Sequence, residues 1–198
     1  MHRLLGRFVI GVGAFLFAAQ ANAQGSNAPS GRPFKIGGAL GATIPLGDFG
    51  DIADLGFHVG GLIDYKPQSV PVTLRGEITY NRNDLKEGFF SDIPGGEDVS
   101  GTFSMINFVG SAVIPFGDAA STARPYVIGG LGVYRLKSSG DVAGFDISAT
   151  DTKFGINVGG GFSFNLSGFD TFIEARFHSV FTEDSNTNFI PISFGFRF

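Results

Sequence analysis

The sequence predicts an all-β fold, an eight-stranded antiparallel up-and-down transmembrane β-barrel. Three observations carry that prediction. Apolar and polar residues alternate with period two through eight segments. The connections between them alternate between long and short. Only 16% of the chain is charged, against 31 Gly and 23 Phe in 198 residues, whereas a soluble domain carries about 25% charged residues.

Residues 1–23 read as a cleaved signal peptide. Arg3 and Arg7 form a basic start, Phe8 to Ala19 an apolar run, and Ala21-Asn22-Ala23 an A-x-A cleavage signal before Gln24. The run has 12 residues, short of the roughly 20 a spanning helix needs. Residues 24–33 are expected to be a periplasmic N-terminal segment, and 34–198 the barrel. No later window is long and apolar enough for a spanning helix, so insertion would use strands.

The expected strands are Phe34–Ile44, Gly56–Tyr65, Val72–Asn81, Thr102–Phe116, Tyr126–Leu136, Lys153–Leu166, Thr171–Phe181 and Phe189–Phe198. The third sets Leu74, Gly76, Ile78 and Tyr80 against Thr73, Arg75, Glu77, Thr79 and Asn81. The sixth sets Phe154, Ile156, Val158, Phe162 and Phe164 against Lys153, Gly155, Asn157, Gly159, Gly161 and Ser163. In the eighth, Ile190, Ile192, Phe194, Phe196 and Phe198 oppose Pro191, Ser193, Gly195 and Arg197. A helical period would scatter these residues over every face. Stretches 45–55, 82–101, 137–152 and 182–188 read as long polar or acidic loops at one end, and 66–71, 117–125 and 167–170 as turns at the other.

Alternation does not say which face is outside. The polar face of the sixth strand is mostly Gly, Ser and Asn, too small and uncharged to cover a soluble barrel but suited to a narrow lumen. The apolar face is therefore expected to meet lipid, with rims at Phe34, Tyr65, Phe116, Tyr126 and Phe198 and at Tyr80, Tyr134 and Phe181. The charges of the polar face, Lys35, Asp64, Arg75, Glu77, Arg135, Lys153, Glu174, Arg176 and Arg197, are expected to form a lumen network, with Arg75 paired to Glu77 and Glu174 to Arg176.

The A-x-A site, the eight amphipathic strands, the segment Pro125-Tyr126-Val127-Ile128-Gly129-Gly130-Leu131-Gly132 and the closing Phe194-Gly195-Phe196-Arg197-Phe198 together resemble the outer membrane β-barrel domain family, small barrels of OmpA/OmpX type. The resemblance implies an outer-membrane location. It also implies that Phe194, Phe196 and Phe198, with the terminal aromatic foremost, form the signal read by the barrel-assembly machinery. It does not transfer an activity, because members of such a fold do different work.

Several function classes are disfavoured. Cysteine is absent, which removes disulfides and thiolate metal sites. After cleavage, 12 basic against 18 acidic residues gives a net charge of −6, the wrong sign for a nucleic-acid partner. Asp84, Glu87, Asp92, Glu97 and Asp98 lack a calcium-loop spacing, and the Gly-Gly pairs lack a phosphate-loop pattern. No cofactor or metal is expected. The expected partners are outer-membrane lipids and the assembly machinery, and the barrel is expected to be a monomer.

The leading expectation is a non-enzymatic barrel with a structural or surface-interaction role through its loops. A small pore or apolar-ligand conduit would need a gap in the lumen network. A lipid-modifying enzyme would need His58 or His178 beside a Ser and a carboxylate. A soluble lipocalin-like carrier would need the two faces reversed.

Overall fold

The computed structural model describes residues 33–86, 101–118, 121–142, 145–166, 168–182 and 186–198. The cleavage-signal residues Ala21, Ala23 and Gln24 lie outside them, as do Glu87, Asp92, Glu97 and Asp98 of the acidic stretch. The described residues belong to one compact unit, Arg32–Phe198.

Eight strands follow in chain order: β1 (Phe34–Leu46), β2 (Gly56–Tyr65), β3 (Thr73–Asp84), β4 (Gly101–Pro115), β5 (Ala123–Val142), β6 (Phe145–Leu166), β7 (Phe169–Val180) and β8 (Thr187–Arg197). One short helix, α1 (Asp48–Ile52), lies between β1 and β2. Each strand pairs antiparallel with its neighbours, and β8 returns to β1 to close the barrel. The C-terminal residue takes part, since Phe198 N–H donates to Ile36 O at 2.9 Å and Ile36 N–H to Phe198 O at 3.1 Å. Closure removes every long sheet edge within the barrel wall.

The register fixes the tilt. Stepping straight across the ladders from Ile36 leads through Ile63, Gly76, Gly110, Leu131, Ile156, Ser179 and Asn188 back to Leu46. The circuit closes 46 − 36 = 10 residues further along β1, the stagger that a small barrel of strongly tilted strands requires. Tight turns hold the opposite end. Gly168 joins β6 to β7 at φ 102°, a conformation that a residue with a Cβ rarely adopts.

Alternation then sorts the side chains. Leu131 is 70% exposed, Phe154 72% and Val158 61%, all on the outside. Arg75, Glu174 and His58 are buried inside. An aqueous exterior of this kind would leave most of the apolar surface wet, so the reversed arrangement of a soluble carrier is ruled out. Glycines on the inner face make room for rings: a Cβ at Gly155 would sit 2.8 Å from Tyr134 Cε2, and one at Gly161 2.8 Å from the Tyr126 hydroxyl.

Three expectations about β5 and its hairpin with β6 fail here. Tyr126 is 4% exposed and Tyr134 fully buried, so neither belongs to a rim. Strand β5 carries apolar residues on both faces, Tyr126, Ile128, Tyr134 and Leu136 inside and Val127, Leu131 and Val133 outside, which leaves polarity no say in its orientation. Arg135 follows the same parity and faces outward, so it is not a lumen residue. The stretch 137–152 is also not a loop. β5 and β6 continue as a paired hairpin as far as Val142 and Phe145.

Candidate functional site

The lumen holds the chemistry, in three stacked layers. Toward the short-turn end, Arg75 of β3 lies directly across the ladder from Asp64 of β2. Its Nε and Nη2 donate to the two Asp64 oxygens at 2.7 and 3.1 Å, and its Nη1 reaches Glu174 Oε2 on the far wall at 3.2 Å. The Tyr126 hydroxyl donates to the same Glu174 oxygen at 2.8 Å. Arg176 grips Glu77 with two bonds of 2.6 and 2.7 Å, and its Nε lies 2.8 Å from Glu174 Oε1 as an ion pair without hydrogen-bond geometry. Arg197 donates to Asp64 at 2.7 Å and Ser163 at 2.7 Å, and Lys35 pairs with Asp170.

These eight groups balance: Lys35, Arg75, Arg176 and Arg197 against Asp64, Glu77, Asp170 and Glu174. Balance is what burial demands, because an uncompensated buried ion costs several kcal/mol. Phe172 supports the layer, with Arg75 and Arg197 placed 5.0 and 5.5 Å from its ring. It packs with Leu62, Val113, Tyr126 and Ile128 in an apolar cluster.

The middle layer is neutral and runs across five neighbouring strands. Thr43 donates to Asn81 Oδ1 at 3.2 Å, and Asn81 Nδ2 to Asn107 Oδ1 at 2.8 Å. With its proton committed, the Thr43 oxygen accepts from His58 Nδ1–H at 3.1 Å. That tautomer leaves His58 Nε2 to accept from the Ser193 hydroxyl at 2.9 Å. The chain therefore donates in one direction from Ser193 to Asn107, an arrangement in which each bond polarises the next. Nearby, Tyr134 OH and His178 Nδ1 are 2.9 Å apart and His178 stacks on Phe189.

An apolar plug forms the outer layer. Phe49 of α1 enters the barrel mouth beside Ala53, Met105, Val109, Tyr134, Leu136, Val180 and Phe189. Backbone bonds tie this segment to the end of β3, from Asp54 N–H to Asp84 O at 2.9 Å and from Lys86 N–H to Ile52 O at 2.9 Å. Asn83 Nδ2 donates to Asp54 O at 2.8 Å.

Between the layers the space is small. Two internal cavities beside His58, Glu77, Arg176 and Ser193 measure about 20 Å³ each, room for a single water-sized group. A shallow apolar trough of about 700 Å³ lies instead on the outside, where Gly61, Gly76 and Gly110 leave a gap between Ile63, Ile78, Phe108, Leu131 and Phe154.

The expected pairing of Glu174 with Arg176 is present, but Arg75 and Glu77 pair with other partners, Asp64 and Arg176. Lys153 lies within β6, eight residues from its outer end at Phe145, with its Nζ 2.9 Å from Asp151. Asp170 and Tyr126 are network members that the sequence reading missed. Asp170 continues the inward alternation of Phe172, Glu174 and Arg176. Carried one step past the turn, period two would have found it.

His58 meets part of the requirement for a nucleophile and base, since Ser193 is within hydrogen-bond reach. The third group, however, is the Thr43 hydroxyl and not a carboxylate, and His58 and Ser193 are 3% and 7% exposed. Among the described residues, no cluster of His, Asp or Glu is arranged to hold a metal.

An apolar exterior around a polar, charge-balanced interior defines a membrane-spanning β-barrel. The chain belongs to the outer membrane protein beta-barrel domain family, whose model matches residues 10–198. It is similar in fold to the solved structure of Neisserial surface protein A, with 21% identity, 84% of this chain and 96% of that one covered, and a TM-score of 0.61. A major outer membrane protein from Thermus thermophilus shows 10% identity, coverage of 84% and 99%, and a TM-score of 0.59. Ail, the attachment invasion locus protein of Yersinia pestis, solved with the heparin analogue sucrose octasulfate, shows 16% identity, coverage of 84% and 100%, and a TM-score of 0.51. No curated protein matches the sequence.

Proposed function

We propose that this outer-membrane barrel is a sealed, non-enzymatic scaffold that serves envelope integrity or surface interaction through the loops and hairpin at its long-loop end. One observation carries the reading: among the described residues, plug, neutral chain and ion-pair layer fill the lumen one above another, and the cavities between them are water-sized. A filled lumen supports neither a pore nor a conduit, and it leaves function to what the rigid wall displays. The proposed partners are outer-membrane lipids around the wall and the assembly machinery during insertion, with Phe194, Phe196 and Phe198 as the recognised strand and a monomer as the product.

A second reading, lipid modification, rests on the contact between Ser193 and His58. It is weakened by their burial and by the lack of a carboxylate behind the imidazole. Mass spectra of lipid A and phospholipids from cells making the wild type or Ser193→Ala decide between the two. The scaffold reading expects identical spectra. A lipid species that appears with the wild type and disappears with the variant would establish Ser193 as a nucleophile. Fractionation of the same cells is expected to place the chain in the outer membrane as a band whose gel mobility changes on heating.

A further inference from the structure

The long-loop end is uneven. β5 and β6 have 20 and 22 residues, whereas β7 has 12 and β8 has 11. The outer part of β6 is paired with β5 throughout, from Phe145 opposite Val142 to Asp151 opposite Leu136. On its other side the ladder with β7 begins only at Gly155, opposite Val180.

The ladder between β7 and β8 ends at the same level, where Val180 pairs with Thr187. Ser148 lies 155 − 148 = 7 residues above Gly155, or roughly 23 Å at about 3.3 Å per residue.

The edge is also oriented. Phe181 N–H donates to Phe154 O at 2.9 Å, so Phe154 turns its backbone groups toward β7. By the period of two, Thr152, Thr150 and Ser148 turn theirs the same way. The Thr152 N–H is taken up at 2.7 Å by the Asp151 carboxylate. Above it, Ser148 and Thr150 have exposed side chains, and among the described residues their outward N–H and C=O groups have no strand partner.

We infer that the outer edge of β6, centred on Ser148 and Thr150, is a docking site for an extended, cationic polypeptide segment, which adds as a further strand. Unpaired strand groups are a template for such addition. Charge selects the partner: the four stretches 45–55, 82–101, 137–152 and 182–188 carry 3 basic and 13 acidic residues, and 3 − 13 = −10. A potential of that sign draws in a basic segment and repels an acidic one.

A second copy in the same membrane is a poor occupant. Its β6 would run in the same direction, and a two-fold axis along the membrane normal would set like residues at equal height. Parallel pairing requires them to be offset by one residue. The inference rests on the reading of the long-loop end as the exposed one. It adds the kind of partner that this end takes.

The test uses the full barrel in lipid nanodiscs and a nine-residue peptide alternating lysine and valine. Saturating peptide is expected to slow amide exchange at Ser148 and Thr150 about tenfold or more, with the β1–β8 ladder unchanged. Thr150→Pro removes an outward N–H without touching the β5 ladder, as proline at a strand edge does. It is expected to keep the heat-modifiable band and to weaken peptide binding about tenfold. A glutamate–valine peptide is expected to bind at least about tenfold more weakly than the lysine one at low salt. Absence of protection at millimolar peptide, or equal binding to Thr150→Pro, overturns the docking edge. Equal binding of the two peptides overturns its preference for cations. These outcomes leave the sealed-scaffold reading standing, because that reading fails on lipid spectra or conductance.

Discussion

The inner and outer halves of the lumen handle buried polarity in opposite ways. Near the short turns, four cations and four carboxylates meet with nearly every charge bridged twice, as Asp64 is by Arg75 and Arg197. Near the loops no ionised pair enters the chain from Ser193 to Asn107, which is held by neutral hydrogen bonds alone. A buried ion pair is costly to break because one partner is left stranded, whereas a neutral bond leaves only a lone donor or acceptor. The inner layer is therefore expected to set the stability of the barrel and the outer chain to align the strands at modest cost.

Removing a charge from the inner layer should give the largest loss. Arg75→Leu leaves Asp64 and Glu174 short of a partner and is expected to cost about 3–5 kcal/mol in denaturant unfolding from lipid vesicles. A loss below that of a neutral contact would erase the distinction between the halves. Next comes a charge placed on the outside: Ile78→Arg at mid-wall is expected to cost about 2–4 kcal/mol and to slow insertion. An unchanged unfolding curve would mean that Ile78 does not meet lipid.

A double-mutant cycle sharpens the pairing. Glu77→Gln with Arg176→Gln should couple by about 1–3 kcal/mol, and Glu77→Gln with Arg75→Gln by less. The reverse order would restore the pair suggested by sequence neighbours. The smallest effect belongs to the neutral chain, where Ser193→Ala is expected to cost about 0.5–1.5 kcal/mol. A loss comparable to that of Arg75→Leu would make the chain as important as the ion pairs.

Most of the architecture was legible in the sequence, and the failures share a physical cause. β3, β6 and β8 each set apolar residues against small or charged ones, so their faces read directly, and the limits of β3 and β8 fall within three residues of those expected. β5 has apolar residues on both faces, and Tyr126, Tyr134 and Arg135 were assigned to the wrong side. The pairing of Arg75 with Glu77 failed for a different reason. Residues two apart on a strand are separated by about 6.6 Å along it, while the residue across the ladder stands closer. For Arg75 that residue is Asp64, and a register cannot be read from one strand alone. The segment 137–152 resembled a loop because Ser, Gly, Asp and Thr are turn residues, yet pairing with one neighbour holds it as strand. In the site, Glu174 with Arg176 was legible, whereas Ser193 beside His58 was not, since 135 residues separate them and only closure of β8 on β1 brings them together.

The account rests on the sealed lumen, and the most direct test is the conductance of the purified, folded barrel in a planar lipid bilayer. The account predicts a quiet bilayer with no lasting current steps across the voltage range. Reproducible, long-lived channel openings by the wild-type protein would contradict it.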